Sequence, residues 1–359
     1  MFTSLSRRAQ QREETHLQAR GEAIAGVIQL HKLLHDFSPM NILPTQHNTL
    51  GIECKTFPID QNSDDQSPSA PSDAFFRPRK VPPLDITNPT HQRQADYLSR
   101  CWGEDKQANR SLDLHSQTGN LWSRLGGLFV NFPRLEEPPR ADGRSLRIIS
   151  QWRSKDGIPE DMIAKKFLPD VLSSKDCSPI ATYVAEKQFT PATNTAPHVF
   201  VVISLEEEPS DNLLRVELLT ITSIMITRFE GEQFPRCIAI PVLAMSVFGR
   251  MKLRFLEAAY VQQRLVIRKT EFFDFSTHEQ ANKNMNTVLG FMASHRVGDP
   301  TNSTIIAQEP VLSDTKDIGK TCSVRKTFRK IFPSSGEAGT GLAIRKRPGA
   351  TRGSIPKFD

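Results

Sequence analysis

Glu257 lies in the run LRFLEAAYV, where alternation places it on one face with Leu253, Phe255, Ala259 and Val261. A carboxylate on an apolar face is either an acid tuned for proton transfer or metal binding, or a structural charge held by a partner. A loop of two or four residues at Gln262-Gln263 sets Glu257 opposite Arg268 and Arg254 opposite Glu271. Opposite charges directly across a strand pair stabilise it by roughly 0.2–1 kcal/mol. One register satisfies both pairs, so the structural reading is the stronger.

His31 and His35, in HKLLH, share a helix face at the spacing of two metal ligands. The run lacks the glutamate of H-E-x-x-H and reads as two solvated histidines, with no metal site. Asp317-Ile318-Gly319-Lys320-Thr321 ends like a phosphate loop, yet Asp314 stands where its first glycine belongs, and Asp314 and Asp317 would repel phosphate. Neither G-x-S-x-G nor G-x-G-x-x-G occurs. Glu206 to Glu208 read as a solvated strand end. These residues call for no cofactor and no small-molecule ligand.

The period of the apolar side chains supplies the elements that must position such groups. Ala23, Val27, Leu30, Leu34 and Phe37 recur at steps of four and three, an amphipathic helix within residues 1–38 that Ser38-Pro39 stops. Two heptads fall short of a coiled coil, so the stripe reads first as docking on its own chain and second as a site for a protein partner. Residues 39–100 read as a mostly disordered linker, since DQNSDDQSPSAPSD has Ala70 as its one apolar residue. Pro133, Pro138 and Pro139 break up residues 101–195, which read as short irregular elements.

Residues 196–299 read as the core, and the predicted fold class is α+β. It is a small mixed sheet of about four strands with two flanking helices, in the order β-α-β-β-β-α, flanked by disordered segments. VFVVISL, from Val199, has the β-branched composition of a buried strand. A helix capped by Asp211 carries Leu214, Leu218, Ile221 and Met225 on one face and ends at Gly231. Ile238–Val247, Lys252–Val261 and Arg264–Phe275 read as strands. Ser276, with Glu279 three residues on, opens a second helix whose apolar face is Ala281, Met285, Val288 and Met292.

The net charge of +6 is unevenly placed. Lys320 to Asp359 hold ten Lys or Arg and two acids, a net of +8, which leaves −2 for residues 1–319. Residues 300–359 read as a disordered basic tail. Within it Lys320, Arg325, Lys326, Arg329 and Lys330 alternate with Val324, Phe328, Ile331 and Phe332, and Arg345, Lys346 and Arg347 form a second cluster. Such segments bind nucleic acid, anionic membrane surfaces, import receptors or acidic proteins, because the attraction is to charge. Cys54, Cys101, Cys177, Cys237 and Cys322 are widely spaced and odd in number, which argues for reduced thiols. No segment approaches the roughly 18 continuous apolar residues of a membrane span. The opening MFTSLSRRAQQREETH has no apolar signal core, so the expected location is nucleus or cytoplasm.

The helix, three strands and helix over residues 211–295 resemble the core order of PD-(D/E)xK nucleases. That resemblance implies Glu217 as the helix acid, Glu257 as the strand acid and Lys269 as the lysine that orients a metal-activated water. Ile267 stands where the family places a further acid, which weakens the implied metal site. From Leu214 through Asp299, above all in FGRMKLRFLEAAY, RLVIRKTEFFDFS and LGFMASHRVGD, the chain is similar to uncharacterised predicted proteins of filamentous fungi. This similarity implies only that the stretch is a recurring unit. The leading expectation is a non-enzymatic interaction or regulatory protein whose basic tail engages an anionic partner such as nucleic acid. The alternatives are a diverged metal-dependent nuclease and a protein-contact defence or self-recognition module.

Overall fold

The structure, a computed structural model, describes residues 2–57, 74–85, 89, 92–93, 96, 113–135, 144–155, 162–172, 177–185, 196–231 and 233–301. The chain opens with helix α1 (Phe2–Asp36), strand β1 (Asn41–Ile42), helix α2 (Pro44–His47) and strands β2 (Ile52–Thr56) and β3 (Phe76–Arg77). Next come α3 (Leu114–Val130), β4 (Pro133–Arg134), β5 (Arg144–Ser145), α4 (Leu146–Ile149), β6 (Trp152–Lys155), α5 (Leu168–Leu172) and β7 (Cys177–Ala185). The remainder holds β8 (Val199–Leu205), β9 (Leu213–Leu214), α6 (Arg215–Glu230), β10 (Val242–Phe248), β11 (Lys252–Val261), β12 (Arg264–Lys269), β13 (Phe273–Asp274), α7 (His278–Met292) and β14 (His295–Arg296).

Helices and a mixed sheet make an α+β fold, but the sheet is larger than the four strands expected. It has eight, in the order β2-β12-β11-β10-β8-β7-β6, with β13 beside β11. β10 runs parallel to β8 and β12 to β2, and the other neighbours are antiparallel. A sheet ending at β8 and β12 would present two edges of unpaired backbone; β7 and β2 cover them. Neither announces itself in sequence. Pro179 interrupts β7, whose register shifts between Pro179 and Ala181, and the IECKT of β2 is short and half polar. Strands thus come from stretches that read as linker and as irregular. Met1–Glu309 form one compact unit.

Every residue of β8 and of its parallel neighbour β10 is buried, as a continuous apolar run at the centre of a covered sheet requires. The two faces carry separate cores. Leu256, Ala258 and Tyr260 of β11 point to the side of α1, α5 and α6, while Leu253, Phe255 and Ala259 point to the side of α3 and α7. Helix α6 buries far more than the single stripe expected, from Val216 to Phe229, because α1 and α5 close its outer side. It is capped at Leu214 rather than Asp211, with Glu217 accepting from the Leu214 amide at 2.9 Å. Helix α7 starts one residue later than predicted, with the Thr277 hydroxyl accepting from the Gln280 amide at 3.2 Å.

Ala23, Val27, Leu30 and Leu34 are buried, so the N-terminal stripe docks on its own chain, against α6. At Gly26 the approach is close: a Cβ there would lie 2.1 Å from Tyr260 Oη. The turn from β11 to β12 is made by Gln262 and Gln263, at φ 51 and 59, the left-handed pair that a two-residue hairpin needs.

Candidate functional site

Glu217 rises from the first turn of α6 and meets Arg254 of β11. Arg254 Nε donates to Oε1 at 3.1 Å and Nη2 to Oε2 at 2.6 Å. The guanidinium also donates to the carbonyls of Ser210 at 2.7 Å and Asn212 at 2.9 Å, and both side chains are buried. The pair fastens helix to sheet and draws in the loop before the helix. The register predicted Glu271 for Arg254, but β12 ends at Lys269 and Glu271 is exposed, while Arg254 faces the helix.

Glu257 and Arg268 are direct register partners, with Arg268 Nη1 donating to Oε1 at 2.6 Å. The same carboxylate accepts the amides of Phe75 at 3.1 Å and Phe76 at 3.3 Å, which pins β3 to the sheet. Burial raises the Glu257 pKa, and Arg268 and the two amides pull it back. Three donors on two buried oxygens is a structural role.

The nuclease triad does not assemble. Arg254 and Glu257 are three residues apart on β11, so they face opposite sides of the sheet, and Glu217 follows Arg254. Lys269 Nζ donates to the Asp211 carbonyl. The two acids are therefore held by different arginines in different cores, on opposite faces of the sheet.

His31 and His35 are not the solvated pair expected. His31 is 5 % exposed, with Nδ1 2.8 Å from Thr222 Oγ1 and Nε2 3.2 Å from Asp170 Oδ2. His35 Nδ1 lies 3.0 Å from Asp170 Oδ1. Burial lowers the His31 pKa, against the pull of Asp170. Asp170, His31 and Thr222 have the order of a nucleophile triad, but Thr222 is 0 % exposed within α6, where no substrate reaches its hydroxyl. Each imidazole is directed at its own oxygen of Asp170, and among the described residues no three His, Cys, Asp or Glu side chains are placed to hold a metal ion.

The basic feature that the fold itself assembles is at β3 and β14. His295 pairs with Arg77 and Arg296 with Phe76. Arg79 Nη2 lies 3.3 Å from His295 Nδ1, and Arg296 stacks over Trp152 at 5.4 Å while donating to the Gln151 carbonyl at 3.1 Å. Burial, then Arg79, Arg77 and Arg296, pull His295 down to about 4. Sequence reasoning missed this group because its members lie 216 positions apart. No local signal joins them.

Glu206 is not merely solvated: it lies 2.5 Å from His115 Nδ1, and Glu208 accepts from Arg250 Nε at 3.0 Å. Cys54 and Cys237 are free thiols. The tail residues Lys320, Arg325, Lys326, Arg329, Lys330, Arg345, Lys346 and Arg347, and the GKT run, lie outside the described residues. Among the described residues no helix is long and apolar enough to cross a membrane. Compared with family models, curated proteins and solved structures, the chain matches none.

Proposed function

We propose that this chain is a non-enzymatic interaction or regulatory protein whose basic C-terminal tail engages an anionic partner, with nucleic acid the first candidate. The observation that carries the reading is the placement of charge: a net of +8 on residues 320–359 against −2 on the rest. Cations interleaved with Phe328, Ile331 and Phe332 give such a tail both phosphate contacts and apolar surface. The choice over a nuclease is supported by the commitment of Glu217 and Glu257 to arginines on opposite faces of the sheet.

The test is a salt series of labelled DNA and RNA binding, run with and without Mg²⁺. It compares the full chain with one carrying Gln at Arg325, Lys326, Arg329 and Lys330. Binding should weaken linearly in log–log salt, with a slope of about −0.9 per phosphate neutralised, and the variant should flatten it. Equal slopes in both proteins would overturn the assignment to the tail. Metal-dependent cleavage lost in Glu257→Gln would restore the nuclease.

A further inference from the structure

The contact between Arg79 and His295 can be made in one protonation state only. A guanidinium has no acceptor and stays protonated in proteins. Arg79 Nη2, 3.3 Å from His295 Nδ1, must therefore donate, and Nδ1 must meet it with a lone pair. His295 is thus neutral in the folded protein, with its one ring hydrogen on Nε2. A proton added at Nδ1 sets donor against donor and puts two cations in contact.

What this contact closes is a strap. Residues 74–79, which contain β3, lie across the end of α7 and along β14, in a two-stranded pair separate from the main sheet. At one end Glu257 accepts the amides of Phe75 and Phe76, and the Val297 amide donates to the Phe75 carbonyl at 2.9 Å. At the other end Pro78 has no amide to donate. There the Arg79 amide donates to the Gly290 carbonyl at 3.0 Å and Arg79 Nε to the Ala293 carbonyl at 3.4 Å. The approach is close: a Cβ on Gly290 would stand 2.5 Å from the Arg79 carbonyl oxygen.

The charges that bear on His295 are Arg79 and its register partner Arg77, both from the strap, and Arg296 from its own strand. Burial, and then these three cations, hold the ring near 4 against its usual 6.5. Lifting the strap takes away two of the cations, so the ring binds a proton more readily with the strap lifted than docked. Docking is therefore favoured in full above pH 6.5 and loses that support as pH falls toward 4.

We propose that His295 makes the Arg77–Arg79 half of the strap an acid-released clasp, which comes away from β14 and α7 while Glu257 keeps Phe75 and Phe76 in place. The device belongs to the folded body and does not depend on what the tail binds. Release carries Arg77 and Arg79 off the body, so this face differs in shape and charge between neutral and acid surroundings.

The test is amide hydrogen exchange on the full chain from pH 6.5 to 4, corrected for the intrinsic pH dependence of exchange. Protection at the Arg79 amide should fall by about tenfold per pH unit. It should also lie below that at Phe76 and Val201 throughout, as a local opening requires. His295→Asn offers Arg79 an amide oxygen that takes up no proton, so its Arg79 protection should hold across the same range. Ring ¹⁵N spectra of the unsubstituted protein give a reading that needs no variant: at neutral pH His295 should carry its hydrogen on Nε2 and none on Nδ1. A hydrogen on Nδ1 would overturn the proposal. So would Arg79 protection that is flat with pH or equal to that of Val201, or a His295→Asn profile matching the unsubstituted one.

Discussion

Arg254 holds Glu217 by both nitrogens of one guanidinium edge, at 3.1 and 2.6 Å, in the seam between α6 and the sheet. Removing one partner of a buried ion pair strands the other, so Glu217→Gln should cost about 3–5 kcal/mol. Urea unfolding of Glu217→Gln, Arg254→Met and the double variant measures the coupling. The double should be less destabilised than the sum of the singles. Additive losses would mean the two residues act separately.

Glu257 answers for more chain than Arg268 alone, since it also accepts the amides of Phe75 and Phe76. Glu257→Gln should cost about 2–4 kcal/mol. It should also speed hydrogen exchange at those two amides more than at Val201 in the centre of the sheet. A uniform rise across the sheet would show that the carboxylate does not clip β3.

His198 is 2 % exposed, ringed by Phe75 and Phe76, and held at a pKa of about 4 against its usual 6.5, chiefly by burial. The folded state keeps it neutral while the unfolded chain takes up the proton first. Its contribution is therefore complete above pH 6.5 and is lost as pH falls from 6.5 toward 4. The loss amounts to about 3 kcal/mol for a shift of this size. His295, displaced the same way, adds to it. Chemical denaturation across this window should show the decline in the unsubstituted protein and a flatter profile in His198→Phe.

Gly26 leaves no room for a side chain, with Tyr260 Oη, Cζ and Cε1 at 2.1, 2.5 and 2.7 Å from where a Cβ would stand. Gly26→Ala should destabilise by about 1–3 kcal/mol through overpacking, despite alanine's better helix propensity. Adding Tyr260→Leu should recover much of the loss in thermal melts. If Gly26→Ala alone stabilises, α1 does not sit this close to β11.

The sequence made some of this legible and not the rest, for identifiable reasons. Glu257 opposite Arg268 could be read because a hairpin converts spacing into register, and a two-residue turn at Gln262-Gln263 leaves one pairing. The partner of Arg254 could not be read that way, since Glu217 reaches it from a helix rather than from the neighbouring strand. The stripe from Ala23 to Leu34 showed its period and so its docking. Strands β2, β6 and β7 showed little, being short, polar or interrupted by Pro179. The contact of Arg79 with His295 carried no signal at all, because it depends on segments that sequence does not place side by side.

The strand order has a consequence for synthesis. Ile52 of β2 pairs with Leu265 of β12, and α1 rests on α6, so the first-made elements find their places only after about two hundred further residues have been joined. At about 5–20 residues per second that is an interval on the order of 10–40 s. Throughout it Val27, Leu30 and Leu34 have no native surface to cover them. The stripe that ends up against α6 is thus the part of the fold that waits longest for its partner.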